Sequence, residues 1–282
     1  MLRGVLLDRF KMDITHLEKT INWPVRSLGR SRTYVAVASA LIALLLWDAL
    51  TRLTNFPAFI LPGPGLVWAR FWQIVMDGSL LRNTLITLQE VLAGLALGVS
   101  AATSMGYLLA KSPLFERLLS PYIVASQSVP VVAIAPLLII WFGPGMFSKV
   151  LICALIVFFP VLVNTVVGLR SVPEELVDLM RSLQATRWQT MTYLEVPAAL
   201  PVFLGGLRIG ATLSVIGAVV GEFVGADRGL GFLINLGRGR YDTALVFVAV
   251  FTLVGVALGL YGAVVFIESR WLSWRQRTDQ TL

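Results

Sequence analysis

The sequence holds one cysteine, Cys153, and one histidine, His16, and that scarcity removes several kinds of chemistry. A single thiol allows no disulfide framework within the chain, and two such residues cannot build a His/Cys metal cluster. His16 lies in the polar N-terminal segment and Cys153 in an apolar run, so an intramembrane Ser-His or Cys-His nucleophile lacks its partner. No aspartyl dyad is visible either, which leaves an intramembrane hydrolase the least supported class. Charge is scarce as well: Asp, Glu, Lys and Arg make up 14% of the chain, little more than half the share usual in soluble domains. Glycine is never followed by lysine, so the phosphate loop G-x-x-x-x-G-K-[ST] is absent. GADRGLG, at 225–231, is glycine-rich without a lysine and reads as a turn. The long apolar runs show no alternation of period two, which speaks against a transmembrane barrel.

What fills the chain is apolar: 57% of its 282 residues, with a mean hydropathy of +0.80. A bilayer core roughly 30 Å thick takes about 20 apolar residues per helical span. Six spans are expected, at 34–50, 84–110, 118–141, 150–169, 199–224 and 243–267. Trp47, Trp141, Trp271 and Trp274 sit near span ends, as interfacial belts require. The net charge of +7 is assigned to topology rather than to nucleic acid. Basic residues are about twice as frequent on the side holding both termini, which predicts N and C termini in the cytoplasm. The first thirty residues contain no hydrophobic block, so no cleavable signal peptide is expected and the first span serves for insertion. This divides the chain into a cytoplasmic segment 1–33, a first span with its outer connection 34–60, a core 61–269 and a cytoplasmic tail 270–282.

Two patterns stand out among the spans. Trp68, Phe71, Trp72 and Val75 recur at helical spacing after Pro62-Gly63-Pro64, which suggests a short helix on the membrane surface or against a neighbouring span. Gly94, Gly98, Ala102 and Gly106 repeat every fourth residue. Gly206, Gly210, Gly217, Gly221 and Gly225 come close to the same spacing in the fifth span, and Gly255 and Gly259 in the sixth. Small residues at this spacing let backbones approach closely, within one bundle or, for the fifth span, at a subunit interface.

One polar stretch of 27 residues interrupts the apolar sequence, SVPEELVDLMRSLQATRWQTMTYLEVP at 171–197. Ser171 to Glu174 has the form of a capping box with proline in the first turn. Glu174, Glu175 and Asp178 precede Arg181, as the helix dipole favours. Leu176, Leu179, Met180 and Leu183 form an apolar stripe, and a helix this short needs something to pack on.

This segment resembles the cytoplasmic motif of binding-protein-dependent ABC transporter permeases, E-A-A, three residues, G, nine residues, I-x-L-P. The spacing runs through Asp178-Leu179-Met180, Gln184 and Leu194-Glu195-Val196-Pro197; Pro197 is identical, and Gln184 stands where the family has its turn glycine. ELVDLMRSLQATRWQ, VPAALPVFLGGLRIG, GEFVGADRGLGFLI and SQSVPVVAIAPLLIIWFG are similar to successive blocks of one branch, which serves nitrate, alkylsulfonates, taurine and pyrimidine or flavin vitamin precursors. The resemblance implies an all-α integral membrane protein of the type I ABC importer permease fold in the cytoplasmic membrane. It implies a coupling helix contacting an ATPase through Glu175, Leu176, Asp178, Leu179, Met180, Arg181, Leu183, Gln184, Ala185 and Pro197. Leu176, Met180, Leu183 and Ala185 are expected to make the apolar contact, with Asp178 and Arg181 orienting it. Two ATP-binding subunits, a second permease chain, most simply a copy of this one, and an extracytoplasmic solute-binding protein are the implied partners. ATP and Mg are expected on the ATPase, and no cofactor on this chain.

Candidates for the solute path are Ser126, Gln127 and Ser128, beside Pro130, together with Asn164 and Glu222; interhelical hydrogen bonding is the other reading of the first four. For Glu222 the alternative is a salt bridge to Arg228 or Arg238. Arg208, roughly 13 Å into the fifth span by helical rise, is read as snorkelling or paired. The third and fourth spans carry no midplane cation and Glu222 would repel anions, which favours a neutral or aromatic solute over nitrate or sulfonate. A self-sufficient secondary transporter or channel is the alternative class. It calls for midplane coupling carboxylates and internal repeats, neither of which is clear.

Overall fold

The computed structural model describes residues 29–54 and 56–272, and every regular element among them is helical. Most of the expected N-terminal segment, with His16, and the tail beyond residue 272, with Trp274, lie outside the described residues.

Residues 1–57 and 58–282 form separate units. The first contains α1, Gly29–Thr54, apolar over Val37–Thr54 and carrying an Asp48–Arg52 pair at 2.8 Å near its end.

The second unit runs through α2 (Pro64–Met76), α3 (Ser79–Lys111), α4 (Pro113–Gln127), α5 (Val131–Phe142), α6 (Met146–Arg170), α7 (Glu174–Ser182) and α8 (Arg187–Thr190). A π turn, Met191–Glu195, then leads into α9 (Val196–Gly225), α10 (Leu230–Gly239) and α11 (Thr243–Trp271). Counting α8, the π turn and α9 as one, five helices among the described residues are long and apolar enough to cross a membrane, and the α4–α5 pair makes six.

The third expected span is broken. α4 and α5 meet at 97° instead of forming one helix over 118–141. The cause is local: Pro130 lacks an amide hydrogen and disfavours helical backbone in the residue before it. Ser128 and Val129 close the end of α4 with bonds to the carbonyls of Ala125 and Ser126, and Pro130 caps α5 at ψ 117°. α3 is longer than expected, about 50 Å at 1.5 Å per residue, so it exceeds an apolar core of about 30 Å.

α6 is the centre of the unit, packed between α3 and α9. Apolar attraction between helices is weak in lipid, so such packing depends on close contact. The glycines provide it. A Cβ at Gly94 would fall 2.2 Å from Cys153 Cβ, one at Gly98 2.7 Å from the Ala154 carbonyl oxygen, and one at Gly217 2.8 Å from Cys153 Cα. Gly106 faces Thr165, Gly206 faces Asn164, Gly210 faces Val157 and Val161, and Gly221 faces Lys149. The glycine faces of α3 and α9 are thus filled within this one chain. Gly255 and Gly259 of α11 have open space beside them.

On α2 the buried residues are Val67 and Ile74, while Trp68, Phe71 and Trp72 cluster with ring centroids 5.5 to 5.7 Å apart. Trp68, Trp72 and Val75 are exposed, so the aromatic stripe is the outward face and the opposite face packs against α11 and α3. Arg70 pairs with Asp242 at 2.7 Å, fastening α2 to the start of α11.

Candidate functional site

Between α6 and α9 the polar segment folds into two short helices. The expected capping box at Ser171 does not form. Pro173 is the N-cap without a side-chain bond, Glu174 is the first helical residue, and the Ser171 hydroxyl donates back to the Gly168 carbonyl at 2.8 Å. The capping box lies instead at the start of α8, where Thr186 accepts from the Gln189 amide and the Gln189 side chain accepts from the Thr186 amide. The T-x-x-Q spacing that makes it was present in the sequence.

α7 ends in a Schellman motif: the Gln184 amide donates to the Arg181 carbonyl at 2.9 Å and the Ala185 amide to the Met180 carbonyl at 3.0 Å. That motif requires a left-handed residue, and Gln184 takes φ 55°. A left-handed turn that favours glycine is therefore made with a glutamine, at a cost of about 1 kcal/mol for a residue with a Cβ. Gln184→Gly should raise the melting temperature of the purified protein slightly, whereas Gln184→Val, β-branched at positive φ, should lower it; thermal denaturation of the two variants side by side checks this.

Among the described residues nothing covers the apolar stripe. Leu176, Leu179 and Leu183 are 43%, 53% and 69% exposed, and no residue of α7 is buried. Met180 and Ala185 are half-buried, Glu175 and Gln184 are exposed, and Asp178 and Arg181 pair with each other at 2.9 Å in solvent. Trp188 and Tyr193, 69% and 78% exposed, extend the uncovered apolar surface along α8 and the π turn, which the sequence reading did not single out. Pro197 lies in the first turn of α9.

The opposite end of the bundle holds a buried polar network. Glu222 is fully buried and accepts from the Thr87 hydroxyl at 2.6 Å and from the Gly231 amide. Thr87 in turn accepts from the Leu230 amide at 2.8 Å, and Asn83 accepts from the Gly229 amide at 2.7 Å. These bonds satisfy the first amides of α10, so the 226–229 turn is pinned onto α3. Gly229, at φ 108°, is required there, since a Cβ would fall 2.1 Å from Glu222 Oε1. Neither Arg228 nor Arg238 bonds Glu222; Arg228 reaches Asp227 at 3.5 Å. The expected pairing of Glu222 with those arginines gives way to this enclosed cap. Beside it, Lys149 and Glu90 form an ion pair at 2.9 Å with side chains 6% and 2% exposed. Arg208 is paired with Glu268 of α11 at 2.9 Å.

At that same end, Asp77, Ser79, Arg82, Asp227, Arg228 and Phe232 line a cleft of about 300 Å³. The Ser79 side chain and amide hold the Asp77 carboxyl below the usual carboxylate range.

Of the path candidates, Ser126, Gln127 and Ser128 are exposed at the α4–α5 break, with Ser126 donating to the Ile123 carbonyl at 2.9 Å. Asn164 is half-buried against Gly206 and donates to the Pro160 carbonyl at 2.8 Å. Gln127 and Ser120 share a groove of about 180 Å³ with the apolar Ile123, Leu162, Val163 and Val166, and the Glu116–Arg170 pair at 2.7 Å stands at its edge.

Apolar spans packed around α6, with an exposed amphipathic helix carried between α6 and α9, make this an integral membrane bundle. The family model described as "Binding-protein-dependent transport system inner membrane component" matches residues 94–276, and the chain belongs to that family. It is 48% identical over 234 residues to the riboflavin transport system permease protein RibX of Chloroflexus aurantiacus, covering 83% of this chain and 87% of that protein. It is 36% identical over 250 residues to the formylaminopyrimidine transport permease protein ThiX of Halalkalibacterium halodurans, covering 87% and 99%. The inward-facing MetNI methionine ABC transporter, in its native CY5 crystal form, shares the fold with a TM-score of 0.61 at 20% identity, over 70% of this chain and 97% of that one. The protein is thus a multi-pass inner-membrane subunit of an ABC importer for a small solute, and in this family the ATPase is a separate subunit.

Proposed function

We propose that this chain, as one of two identical permease subunits, carries a neutral heteroaromatic solute of the flavin or pyrimidine type into the cell. In this reading residues 171–197 face the cytoplasm and dock in the ATPase, a solute-binding protein delivers the solute from the other side, and the chain binds no cofactor itself. The observation that carries the docking is the uncovered stripe of Leu176, Leu179 and Leu183, held in place by the Schellman turn at Gln184. A helix of nine residues has no stability of its own, so that stripe is kept ordered for a partner. Glu175, Asp178, Arg181 and Ala185 border it, Met180 backs it, and Pro197 starts the span that would follow its motion.

Support for the solute class comes from the relatives named for riboflavin and formylaminopyrimidine, and from the groove beside Gln127. Its mostly apolar walls, with one amide, one hydroxyl and the mutually neutralising Glu116–Arg170 pair, suit a planar ring without net charge better than an inorganic anion. Ser126 and Ser128, exposed on either side of Gln127, would add polar contacts along the same path, and Asn164 would join it from α6 where that helix faces Gly206.

The test is purification of the tagged chain with its co-expressed ATPase, then uptake of labelled riboflavin by proteoliposomes supplied with ATP and the binding protein. The ATPase should co-purify, Leu183→Pro should release it, and riboflavin uptake should withstand excess taurine. Uptake abolished by taurine would reverse the solute assignment. Uptake by the chain alone, without ATPase, would make it a secondary transporter.

A further inference from the structure

Both flanks of the coupling segment are fastened to one place, the corner at Ser112 where α3 ends and α4 begins. On the entry side Arg170, the last residue of α6, meets Glu116 of α4 at 2.7 Å and donates to the Leu109 carbonyl of α3 at 3.3 Å. On the exit side Glu195, the last residue of the π turn, is ion-paired with Lys111, the last residue of α3. The two ties differ in depth. The Arg170 and Glu116 side chains are 44% and 40% exposed, and a pair in solvent holds little. Glu195 is 7% exposed although Lys111 is 39% exposed, so the carboxylate is withdrawn from water and depends on a lysine that reaches it from the surface.

The π turn gives this arrangement a purpose. Five-residue π turns are rare inside helices and cluster at functional positions. Here the extra residue separates two faces: Trp188 and Tyr193 remain outside with the coupling segment, while Glu195 and Ala199 are buried with α9. A Cβ at Gly168 would fall 2.9 Å from the Ala199 carbonyl oxygen, so the ends of α6 and α9 are already in backbone contact and move together. From the corner they grip, α4 runs directly to Ser126–Ser128 and the 97° break.

Resting on the coupling reading given above, we infer that Lys111 and Glu195 are a positioning pair, which makes α4 and its break follow the coupling segment when the ATPase closes. Packed helices shift as rigid bodies, so a tie at the corner moves the far end of α4 as a lever.

The experiment uses the complete transporter with its ATPase in lipid nanodiscs and an environment-sensitive fluorophore at Ser126→Cys. The single native thiol, Cys153, is fully buried and does not compete for the label. ATP with vanadate is the probe, so no knowledge of the solute is needed. With the native pair, trapping shifts the emission. In Glu195→Gln and in Lys111→Met the shift should fall at least about five-fold, the size of an ordinary coupling loss, while ATP hydrolysis stays within about two-fold. The reversed pair, Lys111→Glu with Glu195→Lys, should restore at least about half of the shift. An undiminished shift in either single variant, or no shift with the native pair, overturns the inference. If the single variants do not assemble, the reversed pair decides: restored response sustains the inference, while a silent or unassembled reversed pair ends it. Leu183→Pro keeps the two readings apart. If it retains both ATPase and fluorescence response, the docking assignment itself fails; if it loses both while Glu195→Gln responds normally, only the positioning pair is lost.

Discussion

Lys149→Met should destabilise the bundle by about 3–5 kcal/mol, the usual result of removing one member of a buried ion pair. Lys149 lies 2.9 Å from Glu90, and the two side chains are 6% and 2% exposed. Glu222 sits in the same cluster with no exposure, so the substitution leaves two carboxyl groups in a space without water and without a cation. Thermal denaturation in mild detergent, followed by the loss of the monodisperse peak, measures the effect. The double variant Lys149→Met with Glu90→Leu should recover most of the loss, because apolar residues of similar volume replace a buried pair at little cost. A single variant that melts with the native protein would mean the pair does not hold α3 to α6.

Gly217→Leu should prevent a stable bundle from assembling. The first added carbon would lie 2.8 Å from Cys153 Cα and 3.3 Å from its amide nitrogen, and these are backbone atoms of α6 that no rotamer change can clear. Overpacking generally costs about 1–3 kcal/mol, and a collision with backbone belongs at or beyond the upper end. Gly210→Leu meets only methyl groups of Val157 and Val161 at 3.2 and 3.3 Å and should be milder. Gly65→Leu, with nothing within 4 Å, should leave the yield of folded protein unchanged. Equal yields of folded Gly217→Leu and Gly65→Leu would show that α6 and α9 need no close approach there.

Much of the coupling segment was legible because its signals are local. The charge order of Glu174 to Arg181, the apolar stripe and the turn position at Gln184 all depend on neighbours a few residues away. Local signals also misled: S-x-x-E at Ser171 matches a capping box, yet the N-cap is Pro173, two residues too late for Glu174 to close it. The partners of Glu222 escaped a local reading for the opposite reason. Thr87 and Gly231 are 135 and 9 residues away, and the nearby arginines in the sequence point elsewhere.

The sequence by itself determined that the chain is helical and belongs in lipid, how many apolar segments it has, and which single long stretch between them is polar. Those properties follow from hydropathy and from periodicity over windows of one helix, which need no knowledge of the rest of the molecule. Only the tertiary structure decided which glycines touch which helix, that the third span breaks at Pro130 through 97°, and that Lys149 belongs to Glu90 and Lys111 to Glu195. Each of these joins residues dozens of positions apart or sums small local effects into an angle. In a bundle without a hydrophobic drive between helices, such contacts follow from shape and from the cost of an unpaired charge, neither of which composition records.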